Sequence, residues 1–201
     1  MINIKVNGVT ELKQLKQLDG LGIDFAGFEF DAKSPWYAGG KIAGKDLKDA
    51  DFDIRKVGVF TNAGYDEIMK AIDEYGIDVV QLQGNETPDL CKKLSRETEV
   101  IKSFTITDPK ASIDEQIADY DENCDYYLFN VAKPADWKQL TKSSIEKPFF
   151  LSGNIGPDDV KKLKAFTHPD FFGVEINEQF EKSIGVKDMV GILQFKQGFK
   201  K

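Results

Sequence analysis

Short, nearly unbroken apolar runs recur along the chain, at Ile2–Val6, Phe25–Phe30, Lys56–Phe60, Val79–Leu82, Val100–Phe104, Tyr126–Phe129, Phe149–Leu151 and Phe171–Ile176. Runs of this length without polar alternation suit strands buried on both faces of a parallel sheet. The stretches between them carry helical spacing. Leu12, Leu15 and Leu18 predict a helix over Glu11–Leu18 capped by Thr10, and Ile68, Met69 and Ile72 predict one over Tyr65–Tyr75. Pro88 opens a helix reaching Ser95, with Thr87 as its N-cap. Pro157 opens another over Asp158–Phe166, where Asp158 and Asp159 favour the positive end of the helix dipole. A last helix is expected over Val186–Phe195. The second helix has only Leu47 and Ala50 as markers, after the glycine-rich Gly39–Gly44, and Ala132–Leu140 follows no clear period.

Strand and helix alternate throughout, linkers are short, and no shift in composition marks a boundary. The expected architecture is therefore one (β/α)8 barrel spanning residues 1–201. An open doubly wound sheet is the competing arrangement. It favours a glycine-rich phosphate turn after the first strand, and here that turn reads Val6-Asn7-Gly8-Val9-Thr10.

Composition narrows the function. A net charge of −7 with a pI near 4.9 leaves no basic face for nucleic acid. Cys91 and Cys124 lie far apart without metal-like spacing, which suits a reduced, cytoplasmic protein. The chain runs directly into its first strand, so no secretory leader is expected, and no apolar run reaches the roughly 20 residues of a membrane span. A monomer or homodimer is expected.

In a barrel of this kind the strand C-termini and following loops hold the chemistry. Those positions are rich in side-chain amides: Asn7, Asn62, Gln83, Asn130, Asn154 and Asn177. An amide donates and accepts hydrogen bonds but does not exchange a proton as an acid or base near neutral pH. Lys33 and Glu175 are the ionisable groups expected to face the mouth, with Asp136 close enough in sequence to Asn130 to reach it from a loop. His168, the sole histidine, precedes the last strand and reads as structural.

Several of these segments, taken in order, resemble phosphoribosylanthranilate isomerase of tryptophan biosynthesis. They are Ile4-Lys5-Val6-Asn7-Gly8-Val9-Thr10, Gly27-Phe28-Glu29-Phe30 with Lys33-Ser34-Pro35, and Val57-Gly58-Val59-Phe60-Thr61-Asn62. They continue with Val79-Val80-Gln81-Leu82-Gln83-Gly84-Asn85-Glu86, Leu151-Ser152-Gly153-Asn154-Ile155-Gly156-Pro157 and Gly185-Val186-Lys187-Asp188. The resemblance covers essentially the whole length. It implies a (β/α)8 barrel performing an Amadori rearrangement without metal or cofactor. It also implies a cysteine base after strand one, an aspartate acid after strand six, an arginine in the strand-two loop for the anthranilate carboxylate, and glycine-rich phosphate loops after strands seven and eight.

The chain departs from the family at those positions. The base position is Asn7, the acid position is Asn130, and the arginine position is Trp36. Gln83 replaces the histidine after strand four, Asn154 replaces a glycine, and Glu175 stands for a shorter carboxylate. Substrate contacts are accordingly expected from Lys33, Trp36, Gln83 and Glu175, and phosphate contacts from Gly153, Asn154, Ile155 and Asn177. A small phosphorylated sugar-like ligand is compatible with that set, held weakly because Asp158, Asp159 and Glu178 lie close by. Losing both acid and base predicts impaired turnover, since each proton transfer contributes roughly 10²–10⁴-fold; the alternatives are an active isomerase using Asp136, Lys33 or Glu175 as substitute groups, a repurposed barrel binding a small sugar phosphate or polar ligand, and a partner-binding structural subunit. Trp36 reads either as a stacking platform or as an aromatic cover for the rim.

Overall fold

The computed structural model describes residues 2–108, 110–131 and 134–200, and the side chains of all of these except 134–136. Eight parallel strands close into a barrel in simple sequential order. They are β1 (Asn3–Val6), β2 (Phe25–Glu29), β3 (Arg55–Phe60), β4 (Val79–Leu82), β5 (Glu99–Ile106), β6 (Tyr126–Val131), β7 (Phe149–Gly153) and β8 (Phe171–Ile176). Closure comes from β1 pairing with β8, with Lys5 beside Glu175 and Val6 beside Ile176. The helices on the outside are α1 (Leu12–Gly20), α2 (Gly44–Lys48), α3 (Tyr65–Tyr75), α4 (Pro88–Leu94), α5 (Ile113–Ile117), α6 (Val160–Ala165) and α7 (Met189–Gly198).

Two apolar layers hold this together. Outward-facing strand residues such as Val6, Phe28, Val80, Phe129 and Leu151 pack under the helices with Leu15, Leu18, Ile68 and Leu94. Inside the barrel, Phe25, Val57, Val59, Val79, Ile101, Leu128 and Phe150 form a separate plug. Phe25 and Phe150 meet edge to face there, with ring centroids 5.5 Å apart. The plug matters for function because side chains two residues apart on a strand share a face. Counting upward from it, Phe25 leads to Gly27 and Glu29, Val79 to Gln81 and Gln83, Leu128 to Asn130, and Phe150 to Ser152 and Asn154. The barrel interior thus turns from apolar to polar towards the C-terminal mouth.

Several expected elements form as the pattern predicts. The helix over Tyr65–Tyr75 has those bounds, and Thr87 caps α4 by accepting from the Leu90 N–H at 3.3 Å. Other local expectations change. Glu11, not Thr10, precedes α1, because the Thr10 hydroxyl donates instead to the Gly185 carbonyl at 3.1 Å. Helix α7 begins at Met189 rather than Val186. Residues Glu181–Ser183 and Val186–Lys187 form a small antiparallel hairpin, β9 and β10. Gly185 turns it with φ +76°, in the left-handed region that glycine enters freely. The strands β5, β6 and β7 run two residues further than their apolar cores. Pro157–Asp159 is a 3₁₀ turn leading into α6. In the region without clear period, Pro134–Lys142 is 3₁₀, burying Trp137 and Leu140. Ala132 and Lys133 lie outside the described residues. His168 sits on the N-terminal side as expected, accepting from the Asp170 N–H at 3.1 Å and packing against Phe149.

Candidate functional site

A cavity of about 420 Å³ opens at the C-terminal mouth, within the size range of small-molecule sites. Its lining draws on six barrel strands and the loops beyond them: Asn7, Glu29 with Trp36, Gln83, Asn130, Ser152 with Gly153 and Asn154, and Glu175 with Asn177. Glu178 and Gln179 complete it. Of the residues expected here, Lys33 is exposed and outside the lining, its backbone N–H donating to Asp31 at 2.9 Å. Ile155 is buried and also outside the lining. Asn62 lies outside as well, in the left-handed region at φ 56°, its Oδ1 accepting from the Asn85 N–H at 2.7 Å to tie two loops. Asp136 falls among side chains that are not described.

A continuous polar network forms the cavity floor. Ser152 Oγ donates to Glu175 Oε1 at 2.7 Å. The other Glu175 oxygen takes a short ion pair from Lys5, which is fully buried. Lys5 Nζ also donates to Asn7 Oδ1 at 3.4 Å, and Asn7 Nδ2 donates to Glu29 Oε1 at 2.9 Å. Ser34 Oγ closes the chain with a short hydrogen bond to Glu29 Oε2. Space for the network comes from Gly27, where a Cβ would collide with Asn7 Oδ1 and Lys5 Nζ. Burial pushes the Glu29 carboxyl above its ordinary value, aided by the nearby Glu175 charge and opposed by the Ser34, Lys5 and Asn7 contacts.

Lys5 and Glu29 were not among the candidates, yet both carry a readable signal: a charged residue inside an otherwise apolar run. Glu29 adds to the amide-rich mouth a further carboxylate beside Glu175 and Glu178, one able to exchange a proton and held directly against Asn7.

On the opposite wall, Trp36 lines the cavity while its indole N–H donates to both oxygens of Glu181, at 2.9 and 3.1 Å. Glu181 is paired in turn with Lys187 at 2.6 Å, and Lys187 makes a further short bond to Asn177 Oδ1. Burial pulls the Lys187 ammonium below its ordinary pKa, with Glu181 opposing the shift. The hairpin β9–β10 therefore serves the site: it brings Glu181 and Lys187 behind the indole.

At the β7 and β8 loops, Gln179 Nε2 donates to Asn154 Oδ1 at 2.7 Å. The Ile155 N–H goes to the Gly153 carbonyl at 2.9 Å. The Gly156 N–H goes to Asp159 Oδ2 at 2.9 Å. The Ile155 and Gly156 amide hydrogens are thus directed to the protein's own acceptors. Among the described residues, no group of three or more His, Cys, Asp or Glu side chains could hold a metal ion.

A closed parallel barrel with a polar, partly charged pocket at its C-terminal mouth defines a TIM-barrel protein with a cavity of small-molecule size. Comparison narrows the class. The family model for N-(5'phosphoribosyl)anthranilate (PRA) isomerase matches residues 4–198. The N-(5'-phosphoribosyl)anthranilate isomerase of Parabacteroides distasonis is 33% identical, covering 96% of this chain and 91% of its own. That of Phocaeicola vulgatus is 31% identical, covering 96% and 95%. The phosphoribosyl anthranilate isomerase structure from Thermotoga maritima superposes with a TM-score of 0.84 at 25% identity, over 100% of this chain and 99% of that one. The chain belongs to the phosphoribosylanthranilate isomerase family. Another solved member, 25% identical with a TM-score of 0.83 over 100% of this chain and 99% of its own, is in complex with reduced 1-(o-carboxyphenylamino)-1-deoxyribulose 5-phosphate.

Proposed function

We propose that this family member keeps the barrel mouth as a binding site for a small polar ligand while the isomerase reaction itself is severely impaired. The observation that carries this reading is the engagement of Asn7. Its Nδ2 is given to Glu29 and its Oδ1 to Lys5, so the residue at the family's base position neither takes up a proton nor turns an open edge to a substrate. Asn130, at the acid position, is likewise without a transferable proton. The parent substrate needs a partner for its carboxylate, and Trp36 offers one N–H that Glu181 already accepts.

A second reading rests on Glu29. A buried carboxylate opening on the cavity beside Asn7 is the group an active isomerase would use as its base. One assay separates the two readings. Purified protein is expected to turn over phosphoribosylanthranilate at least about 10³-fold more slowly than the Parabacteroides distasonis relative. It is also expected not to rescue a tryptophan-requiring strain lacking the isomerase. Relative-like turnover that disappears in Glu29→Gln establishes the second reading instead. Cytoplasmic location and a monomeric or homodimeric assembly are part of the same proposal.

A further inference from the structure

Resting on that binding reading, the chemistry of the lining says which ligand the mouth accepts. Three carboxylates line the cavity, Glu29, Glu175 and Glu178, and the described lining contains no Lys, Arg or His. The cations nearest in the network, Lys5 and Lys187, lie beneath the surface with their side chains fully buried, each already paired, with Glu175 and Glu181 respectively. Glu29 is held by neutral donors from Asn7 and Ser34, and Glu178 is exposed on the rim.

Of the three places where the family relationship leads one to look for an anion, the β7 end and the strand-two loop are filled from within, and in the β8 loop the Asn177 side chain already accepts from Lys187. At the β7 end, Asn154 is bridged to Gln179, and the Ile155 and Gly156 N–H groups are consumed by Gly153 and Asp159. At the strand-two loop, Trp36 already donates to Glu181. Among the described lining residues a phosphate would find no positive partner, and it would face the Glu178 carboxylate at the rim.

The remaining surface is amide, carboxylate and one indole. Gln83 and Asn130 offer both donors and acceptors for hydroxyl groups, and Trp36 presents an aromatic wall suited to a C–H-rich face or to a cation. We propose that the mouth binds a small, unphosphorylated polyhydroxylated amine, with its ammonium group on the carboxylates and its hydroxyls on the amides.

Three probes of one carbon skeleton test this on the full-length protein: 1-amino-1-deoxysorbitol, sorbitol and sorbitol 6-phosphate, titrated by calorimetry and ligand-observed NMR at neutral pH and low ionic strength. The amine is expected to bind at least about tenfold tighter than the phosphate ester, with sorbitol between them. Glu178→Gln, a change at an exposed side chain that leaves the core intact, should lower amine affinity severalfold and narrow the gap between the three. Tighter binding of the phosphate ester overturns the inference and leaves the impaired-barrel reading standing. Failure of all three to bind also overturns it, as does an amine affinity untouched by both Glu178→Gln and Glu29→Gln. Relative-like isomerase turnover in the parallel assay instead removes the reading on which the inference rests.

Discussion

Gln179 Nε2 donates to Asn154 Oδ1 at 2.7 Å, tying the loop after β7 to the loop after β8. The bridge joins two residues 25 positions apart, and neither would form it if glycine stood in its place. Further along the β7 loop, Asp159 serves as the anion of its own helix start, accepting from Gly156 and pairing with Lys162 at 2.7 Å. Its carboxyl is desolvated by burial, yet the Lys162 and Gly156 contacts win and hold it below the usual range.

These contacts predict how the anion site responds to mutation. Inorganic phosphate should bind the unmodified protein more weakly than about 1 mM. Asn154→Gly with Gln179→Gly removes the bridge, and adding Asp159→Ala frees the Gly156 N–H. The triple variant should gain at least about tenfold in phosphate affinity, while losing about 1 kcal/mol of stability with the cap. Chemical shifts of Gly153 and Gly156 report the binding. An unchanged affinity in the triple variant shows that something other than these contacts closes the cradle.

The cysteines should be inert in the native state. Burial pushes the Cys91 thiol up to about 11 and the Cys124 thiol up to about 12, so almost no thiolate exists at pH 8. Both are free and buried, and Cys124 donates to the Tyr120 carbonyl at 3.4 Å. Iodoacetamide at pH 8 should leave the folded protein unmodified over hours and alkylate both residues in denaturant. Rapid labelling of either residue without unfolding contradicts the burial described here.

The barrel was legible because strands buried on both sides appear as unbroken apolar runs, and Tyr65–Tyr75 was legible because its apolar stripe is regular. Glu29 was not recognised as a site residue because it sits inside such a run, where neighbours at Phe28 and Phe30 make it look like scaffold. Counting by twos from Phe25 places it at the mouth, so the signal existed. Thr10 and Gly185 show the opposite situation. A threonine before a helix looks like a cap, and only the closed barrel brings Gly185 close enough to take its hydroxyl. The hairpin carrying Glu181 and Lys187 was hidden for a similar reason: Val186 and Lys187 continue a helical pattern, and the turn at Gly185 breaks it.

Restoration of the family's residues is expected to be partial. Asn7→Cys supplies a thiol but strips Glu29 of one donor and leaves Lys5 with Glu175 alone, costing about 1–3 kcal/mol for the unsatisfied carboxylate. Trp36→Arg would direct a guanidinium to Glu181, which already holds Lys187, so the new cation would be drawn from a substrate carboxylate towards its own protein. Asn7→Cys with Asn130→Asp and Trp36→Arg should therefore raise isomerase turnover above the unmodified protein while leaving it well short of the Parabacteroides distasonis relative. Adding Glu29→Gln should improve it further by removing the negative charge beside the new thiol. A triple variant with relative-like turnover would show that the Glu29 and Glu181 contacts exert no restraint.

Glu29 should also leave a signature in the pH dependence of stability. Its carboxyl is raised above 4.5 in the folded state, so between 4.5 and its folded pKa the native protein holds a proton that the unfolded chain has released. Stability contributed by this group is then full below the unfolded pKa and falls as pH rises through the folded one. Glu29→Gln keeps the shape and an acceptor for Asn7, and it removes the titration. Asp159 and Glu99, whose carboxyls are lowered, tilt the curve the other way, but they are common to both proteins and cancel in the difference. Urea unfolding between about pH 4 and pH 8 should show Glu29→Gln gaining on the unmodified protein as pH rises, with the gain levelling off above the folded pKa. A difference that stays flat, or that moves against the variant on going to higher pH, would mean that the Ser34 and Asn7 donors stabilise the Glu29 carboxylate at least as much as burial disfavours it.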